Sequence, residues 1–340
     1  MYNAFTLTKN GKSEDAFELR KYDHKKLSAE EVRIKVSAFG LNYADVMARN
    51  GLYKECPPLP TVIGYEVVGT IIEANTANSK ELIGKKVVAF TRFGGYAQEV
   101  VTQLSATVII DDYPEDKALA LATQYVTAYY MVHYTFNFHK NNHVLIHAAA
   151  GGVGTALVQL LQSKGVNIIA KVGSDEKAKY LNDLGVEHCV NYNTQNYAQF
   201  VKDVLKDNSL VASFNPSGGK TFQTDLKLLG PHGKLFLYGG AERSGKKWGI
   251  FSTLNFVRKM GIILPITLMM QSKSLIGVNM LKIADEYPEI LQKCLSEVIH
   301  LAKKGIIAPK VGGTFHSNEL ADAHNYLASG KSTGKVVVKW

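Results

Sequence analysis

The sequence predicts an α/β protein in which a β-rich part precedes a doubly wound parallel sheet. Short stretches that alternate polar and apolar residues dominate the first 120 residues and are typical of strands with one buried face. From about His143 onward, short apolar strands alternate with amphipathic helices. This alternation indicates a parallel sheet, because the crossover helices bury both of its faces.

The β-rich part has four predicted strands that are bounded by Gly, Asn or Pro: 31–38, 67–73, 86–90 and 96–102. In the doubly wound part, the predicted strands are 143–148, 166–172, 189–190, 210–214 and 234–238, and the predicted helices are 152–164, 175–184 and 197–205. The remaining predicted elements are a strand over 274–280, helices over 285–304 and 318–328, and a strand over 335–339. The elements after 280 do not extend the repeat, and we expect them to fold back onto the β-rich part.

Length and composition exclude several classes of protein. A chain of 340 residues suggests two domains, and 46% hydrophobic residues with 20% charged residues exclude a disordered protein. Cys56, Cys189 and Cys294 are far apart and form no CxxC pair, so a disulfide scaffold is excluded and a reducing cytoplasm is expected. The longest uncharged apolar run, residues 261–270, is about half of a membrane span. We therefore expect no membrane-spanning helix.

The formal net charge of +9 could attract nucleic acid, acidic lipid or a phosphorylated ligand. The basic residues are scattered over the chain and form no block of five or six. We interpret most of them as solvated surface residues and expect no nucleic-acid partner.

A glycine motif connects the first strand of the doubly wound part to its first helix. The sequence AAAGGVG over 148–154 follows the apolar strand and precedes a segment with helical periodicity. This order is typical of a dinucleotide-binding turn, with alanine at the first glycine position. The residues predicted to hold the pyrophosphate are Ala149, Gly151, Gly152, Val153 and Gly154.

The end of the next strand indicates which dinucleotide binds, because an acidic side chain there would favour NAD. Ser174 occupies the strand tip and Lys177 follows one helical turn later. A hydroxyl and an ammonium suit a 2′-phosphate, so the pattern favours NADPH. Asp175 leaves NADH open, although we interpret it as a first-turn residue of a helix capped by Ser174.

Two further segments, GLNYAD over 40–45 and PTVIGYEVVG over 60–69, complete a family pattern. With them the chain resembles the medium-chain dehydrogenase/reductase superfamily, and within it the zinc-free, zeta-crystallin-like quinone oxidoreductases and their vesicle amine transport protein branch. The resemblance implies a GroES-like catalytic domain interrupted by a Rossmann domain. The implied boundaries are 1–122 and 282–340 for the catalytic domain and 123–281 for the NADPH-binding domain.

The resemblance also implies roles for single residues. Lys177 and Tyr192 match positions that bind the 2′-phosphate beside Ser174. Four more residues match positions along the cofactor: Thr127, Gly239, Gly240 and Asn279. The strand between Leu275 and Met280 corresponds to one that often pairs across a two-fold axis, which suggests a homodimer.

Departures from the zinc-dependent relatives predict that no metal is bound. Where those enzymes have zinc ligands, this chain has Asn42, Tyr65 and a residue near Thr123, which offer an amide, a phenol and a hydroxyl. Such groups are poor zinc ligands beside thiolate and imidazole. The segment 90–96 is too short for the four-cysteine lobe that binds structural zinc.

Without a metal, NADPH can still transfer hydride to a quinone or an α,β-unsaturated carbonyl if donors stabilise the developing oxyanion. We predict that Asn42 and Tyr53 are these donors, that Tyr43, Met47 and Tyr65 line the substrate pocket, and that Asp45 orients the loop by an internal hydrogen bond. His147 is interpreted as a packed residue of a buried strand. The leading hypothesis is an NADPH-dependent quinone reductase.

Two other functions stay open. One is an NADPH-dependent reductase of enone, alkenal or enoyl-thioester double bonds, which needs the same pocket. The other is an NADPH-binding protein with little catalysis that contacts RNA or a membrane, for which the apolar segment 261–270 is a candidate surface.

Overall fold

The computed structural model describes residues 1–239 and 257–340. These residues form two compact units, the first made of Met1–Thr127 and Met280–Trp340 and the second of Ala128–Asn279. The first unit holds a mixed sheet and the second a parallel sheet, which confirms the predicted α/β class. The predicted cofactor residue Gly240 lies outside the described residues.

The strands, in chain order, are β1 (Tyr2–Leu7), β2 (Phe17–Tyr22), β3 (Glu31–Leu41), β4 (Glu66–Ala74), β5 (Lys86–Phe90), β6 (Glu99–Gln103), β7 (Thr107–Ile109), β8 (His143–His147), β9 (Asn167–Val172), β10 (His188–Asn191), β11 (Leu210–Asn215), β12 (Leu229–Leu237), β13 (Ser274–Gly277), β14 (Val311–His316) and β15 (Lys335–Lys339). The helices are α1 (Ser13–Ala16), α2 (Tyr43–Arg49), α3 (Ser79–Leu82), α4 (Glu115–His133), α5 (Gly152–Gln162), α6 (Asp175–Asp183), α7 (Tyr197–Leu205), α8 (Lys220–Leu228), α9 (Pro265–Met270), α10 (Met280–Glu286), α11 (Pro288–Lys303) and α12 (Leu320–Ala328).

The sheet of the first unit has the order β14-β15-β3-β4-β5-β7, with β6 paired to the other end of β3. Its pairs are antiparallel except β14 with β15. The long strand β3 supplies fully buried side chains, among them Ile34 and Phe39, to a core that Tyr96 also enters. This sheet brings the start of β4 and the start of β15 to opposite sides of the end of β3.

The second unit has a parallel sheet with the order β10-β9-β8-β11-β12-β13. Its central strand β8 is buried on both faces, and Val144, Leu145 and Ile146 are fully covered. The near-continuous apolar sequence of these strands therefore reflects their position between two layers of helices.

Several predicted elements need correction. The predicted strand 274–280 ends at Gly277, and Met280 instead begins α10. The predicted helix 285–304 is divided between α10 and α11, because Pro288 occupies the first turn of α11 and cannot continue the preceding helix. The strand predicted over 96–102 is observed as β6, a few residues later.

Sequence reasoning missed α4 and the β1-β2 hairpin. Apolar residues occur all around α4, and Leu119, Leu121 and Met131 are all fully buried. A helix that is covered on every side has no amphipathic stripe, so its period is weak in the sequence. Within residues 1–239 and 257–340, no helix combines the length and the apolar sequence that crossing a membrane would require.

The turn before α5 gives the first testable prediction. A Cβ at Gly154 would overlap the backbone of Ala148 and approach the Ala149 Cα to 2.6 Å, whereas a Cβ at Gly277 meets nothing within 4 Å. We expect Gly154→Ala to lower the free energy of unfolding by about 1–3 kcal/mol, because backbone atoms must move apart. Gly277→Ala is the matched control and should be close to neutral in thermal and urea unfolding. Equal effects of the two substitutions would contradict the close approach.

Candidate active site

Three buried polar side chains meet beside the end of β3 in the first unit. Asn42 precedes α2, Glu66 begins β4 and Lys335 begins β15. Asn42 Nδ2 donates to Glu66 Oε1 at 2.8 Å, and Lys335 Nζ donates to Asn42 Oδ1 at 2.9 Å. Lys335 Nζ also pairs directly with Glu66 Oε1. The Asn42 amide is thus held in one orientation, since its nitrogen faces an acceptor and its oxygen faces a donor.

The second oxygen of Glu66 is occupied by a backbone amide. Helix α4 bends at Ala122, whose ψ is −106°, and Thr123 N–H donates to Glu66 Oε2 at 2.6 Å. A kink releases an N–H from the ladder of helical hydrogen bonds, and here the carboxylate accepts it. The bend in α4 therefore completes the hydrogen bonding of Glu66.

Glycine at position 40 makes room for this arrangement. A Cβ at Gly40 would overlap both the Glu66 carboxylate and the Lys335 side chain. Glu66 and Lys335 are fully inaccessible to solvent. Because a buried charge is costly unless it is paired and hydrogen-bonded, each of the two groups depends on the other.

Aromatic side chains line the same region. Tyr65 is buried next to Glu66, and its ring stands edge-on to Tyr53 at 6.2 Å and tilted against Phe93 at 5.2 Å. The buried Tyr65 hydroxyl has no hydrogen-bond partner among the described residues. Burial raises the pKa of Tyr53 to about 12 and that of Tyr65 further still. Both phenols therefore stay neutral near pH 7 and can donate a hydrogen bond.

Asp45 fixes the loop that carries Asn42. Its Oδ2 accepts the Asn42 backbone N–H at 2.7 Å, so the predicted internal hydrogen bond is confirmed. Burial raises the pKa of Asp45 from 3.8 to about 7. The same side of the core holds Tyr96, whose hydroxyl lies 3.1 Å from His324 Nε2. Burial lowers the pKa of His324 to about 3, so this imidazole is neutral.

The other predicted pocket residues lie on or beside α2. Tyr43 is at the first position of α2 and is exposed, and Met47 is half-buried one turn later. Thr127 is buried in α4 and its hydroxyl donates to the Thr123 carbonyl at 2.6 Å.

The glycine turn of the second unit has the geometry of an open anion site. Ala148 adopts a positive φ of 48°, and Gly151 is the N-cap of α5. Gly151 has no side chain to cap the helix, so the amides of the first turn, at Gly152 and Val153, lack a side-chain cap. Uncapped N–H groups and the helix dipole together favour a phosphate.

The end of β9 carries the residues predicted for the 2′-phosphate. Ser174 accepts the Lys177 N–H at 3.3 Å, which confirms the predicted N-cap of α6. Asp175 accepts Asn191 Nδ2 at 2.8 Å, so this carboxylate already has a partner. Lys177 is half-buried, and burial lowers its pKa.

Tyr192 follows β10 and lies close to Gly173. A Cβ added to Gly173 would be 2.7 Å from the phenol oxygen of Tyr192. Gly239 is exposed after β12 and approaches the Pro216 carbonyl. Asn279 lies two residues beyond β13, rather than on a strand as predicted.

Sequence reasoning missed three contributors to the Asn42 environment: Glu66, Lys335 and the Thr123 amide. Glu66 belongs to the segment that carries the family resemblance, and its position after Tyr65 was the available signal. Lys335 stands before an apolar strand like many surface lysines. No group of three or more His, Cys, Asp or Glu side chains in the described part of the chain could hold a metal ion.

Comparison with known proteins supports the fold. Residues 28–112 match the family described as alcohol dehydrogenase GroES-like domain, and residues 152–296 match the family described as zinc-binding dehydrogenase.

Relatives match along nearly the whole chain. The synaptic vesicle membrane protein VAT-1 homolog of Danio rerio is 29% identical, over 92% of this chain and 64% of that protein. A quinone oxidoreductase of Pseudomonas aeruginosa is 28% identical over 95% of both chains. A 2-haloacrylate reductase of a Burkholderia species is 26% identical over 91% of this chain and 90% of that enzyme. The chain thus spans less than two thirds of the Danio rerio relative.

Among solved structures, a mycobacterial protein in complex with NADPH has a TM-score of 0.86 and 26% identity, with full coverage of both chains. The quinone oxidoreductase of Pseudomonas syringae pv. tomato, at 23% identity and a TM-score of 0.87 over both full chains, shares the fold. Fold, glycine turn and matches together define a medium-chain dehydrogenase/reductase. This chain is similar to the branch of that superfamily that contains the quinone oxidoreductases and the VAT-1 proteins.

The buried pair gives a stability prediction. Lys335→Met should lower the free energy of unfolding by about 3–5 kcal/mol, because it leaves the Glu66 carboxylate buried without its cation. The double variant Lys335→Met/Glu66→Gln should recover most of this loss, since neither buried charge remains. Thermal unfolding of the two variants measures the difference. If the double variant is less stable than the single one, Glu66 does not depend on Lys335.

The raised pKa of Asp45 gives a pH prediction. Between about pH 4 and pH 7 the folded protein keeps a proton that the unfolded chain releases, so this carboxyl lowers the free energy of unfolding as pH rises toward 7. Asp45→Asn has no carboxyl at this position and lacks that loss. Its free energy of unfolding should therefore rise relative to that of wild type as pH increases from about 4.5 to about 7.5, a range that covers most of the interval between the two pKa values.

Denaturant unfolding at both pH values measures this difference, and Asp15→Asn, at an exposed position of the same unit, is the control. A difference between Asp45→Asn and wild type that does not change with pH would show that Asp45 ionises normally.

Proposed function

We propose that this protein is a zinc-independent, NADPH-dependent oxidoreductase that reduces quinones by hydride transfer. The observation that carries the proposal is the fixed amide of Asn42, held between Glu66 and Lys335 in the neighbourhood of two neutral tyrosine hydroxyls. This arrangement offers hydrogen-bond donors to an oxygen that gains negative charge, and no strong base.

The cofactor would be held by the second unit. The uncapped first turn of α5 fits a pyrophosphate, and the close packing at Gly154 brings that helix near β8. Ser174, Lys177 and Tyr192 lie at the end of β9 and β10, where the adenosine ribose binds in doubly wound folds. The similar mycobacterial structure with NADPH supports this cofactor. The nicotinamide supplies the hydride, and the chain supplies position and electrostatics.

The first unit would stabilise the reduced substrate. One hydrogen of Asn42 Nδ2 binds Glu66, which leaves the second hydrogen of the amide as a donor. The contact from Lys335 to the amide oxygen polarises the amide and strengthens that donor. Tyr53 adds a hydroxyl that remains protonated, since its pKa is about 12. These donors stabilise a quinol or enolate oxygen as it forms.

The chemistry of the donor set supports zinc independence. The oxygen and nitrogen of Asn42 are engaged with Lys335 and Glu66, and Tyr65 presents a phenol with a strongly raised pKa. A neutral amide and a protonated phenol are weak ligands for zinc, which prefers thiolate and imidazole.

Double-bond reduction is the second candidate, because the 2-haloacrylate reductase shows that a relative of similar length is a reductase of an unsaturated acid. The same donors would stabilise an enolate. NADPH oxidation with matched panels of quinones, enones and alkenals tests both. Turnover with quinones alone supports the leading function, faster turnover with enones or alkenals supports the second, and no turnover with any member contradicts both.

We also propose a homodimer and a cytoplasmic location. Among the described strands β13 is the edge of the sheet, and Ile262 and Met270, which precede it in the chain, are exposed. Edge strands of this kind are available for pairing with a second copy. Sedimentation equilibrium of the full chain at micromolar concentration tests the dimer.

The proposed cytoplasmic location is supported by the thiols. Cys56, Cys189 and Cys294 are unpaired, as in a reducing compartment.

The role of Tyr53 gives a prediction on activity. Tyr53→Phe keeps the ring against Tyr65 but removes the hydroxyl, so kcat with the best quinone should fall about tenfold while Tm stays unchanged. Tyr113→Phe, a partly buried tyrosine of the same unit outside the predicted pocket, is the control. An unchanged kcat for Tyr53→Phe would remove Tyr53 from the reaction.

A further inference from the structure

A second buried charge network lies in the other unit, at the carboxyl edge of its parallel sheet. Lys171 and His147 are paired residues of β9 and β8, and Asp225 lies on α8. His147 Nε2 is 2.9 Å from Asp225 Oδ2, and Lys171 Nζ is 3.2 Å from His147 Nδ1. All three side chains are more than nine-tenths buried. The order along the network is carboxylate, imidazole, ammonium.

The surroundings favour an ionised Asp225 and a neutral His147. Asp225 accepts hydrogen bonds from Ser213, Asn215 and Tyr197, at 3.0, 2.7 and 3.0 Å. Burial raises its pKa, but His147 and these donors outweigh burial and hold the pKa below its ordinary value. Burial and Lys171 lower the pKa of His147. Burial thus favours the neutral imidazole, whose Nε2 lies toward Asp225 and whose Nδ1 lies toward Lys171.

The ammonium end of the network lies between two aromatic rings. Lys171 Nζ is 4.2 Å from the ring centre of Tyr197 and 4.9 Å from that of Tyr192. Both distances are within the range of a cation–π interaction. Tyr197 is tied to Asp225 by its hydroxyl, whereas Tyr192 is half exposed. Lys171 thus contacts a ring that is half exposed to solvent.

Backbone contacts hold the base of Tyr192 in place. Tyr192 N–H donates to the Val172 carbonyl at 3.0 Å, and Asn193 Nδ2 donates to the Gly173 carbonyl at 2.8 Å. The phenol lies across Gly173, where an added Cβ would be 2.7 Å from the phenol oxygen. Ser174 follows directly, about 20 residues after Gly154, which is where doubly wound folds recognise the adenosine 2′ position.

We propose that Lys171 is a positioning residue that holds the Tyr192 ring at the adenosine 2′ position and so sets the preference for a 2′-phosphate over a 2′-hydroxyl. A buried lysine costs more than an apolar residue at this strand position would, and the network offsets that cost with His147 and Asp225. The inference rests on the proposed use of NADPH.

The test measures binding of two cofactor fragments to the full-length protein by calorimetry. Adenosine 2′,5′-bisphosphate carries the 2′-phosphate, and 5′-AMP carries a hydroxyl there. Lys171→Met should weaken the bisphosphate about tenfold and leave 5′-AMP unchanged, as expected for the loss of a cation–π contact. Lys179→Met, an exposed lysine on α6, is the matched control and should change neither Kd.

A double-variant cycle separates positioning from direct contact with the phosphate. If Lys171 acts through the ring, Lys171→Met should cost little once Tyr192→Leu has removed that ring. A full tenfold loss in the Tyr192→Leu background would overturn the positioning role. If Lys171→Met alone does not fold, Lys171→Met/Asp225→Asn removes both buried charges together and should show the same selective loss.

The outcomes distinguish the inference from the proposed function. A wild-type protein that binds both fragments equally contradicts the use of NADPH and, with it, the role of Lys171. A wild-type preference for the bisphosphate that survives Lys171→Met overturns the role of Lys171 alone.

Discussion

The buried contact between Glu66 and Lys335 is the constraint on which the first unit depends. It joins the first residue of β4 to the first residue of β15 across the end of β3, in a place where glycine at 40 leaves just enough space. A carboxylate and an ammonium without solvent are tolerable only as a pair with further hydrogen bonds. The Asn42 amide and the Thr123 N–H provide these bonds, so the charge pair also fixes the orientation of the amide that we propose as a donor to substrate.

The two units satisfy buried charge in a similar way. In the first, a carboxylate and a lysine hold an amide, and in the second, Asp225 and Lys171 hold a neutral imidazole. In each network a neutral polar group bridges opposite charges, and one partner lies beside a position predicted to meet a ligand. Such networks are costly if incomplete, which confines each side chain to one arrangement. Fixed geometry is what a hydride-transfer enzyme requires, because the cofactor performs the chemistry and the protein positions it.

Relatives with different names share this framework. The chain is similar to a VAT-1 homolog, a quinone oxidoreductase and a 2-haloacrylate reductase at nearly equal identity. Under the proposed function, neutral donors such as Asn42 and Tyr53 would stabilise an oxyanion on any of these substrates. Selection among substrates would then depend on the walls of the pocket, for which Tyr65 is a predicted residue and Phe93 packs against its ring.

The sequence by itself determined the α/β class, the glycine turn, the Ser174 cap and an internal hydrogen bond of Asp45. Each depends on residues within one turn or one strand–helix unit, where spacing along the chain equals proximity in space. The tertiary structure alone decided the partners of Asn42, because Lys335 is 293 residues away and reaches it through strand pairing. It also decided the surroundings of Lys171, which contacts His147 and, through it, the Asp225 network. Burial and long-range pairing set the charge and orientation of these groups, and no local pattern encodes either.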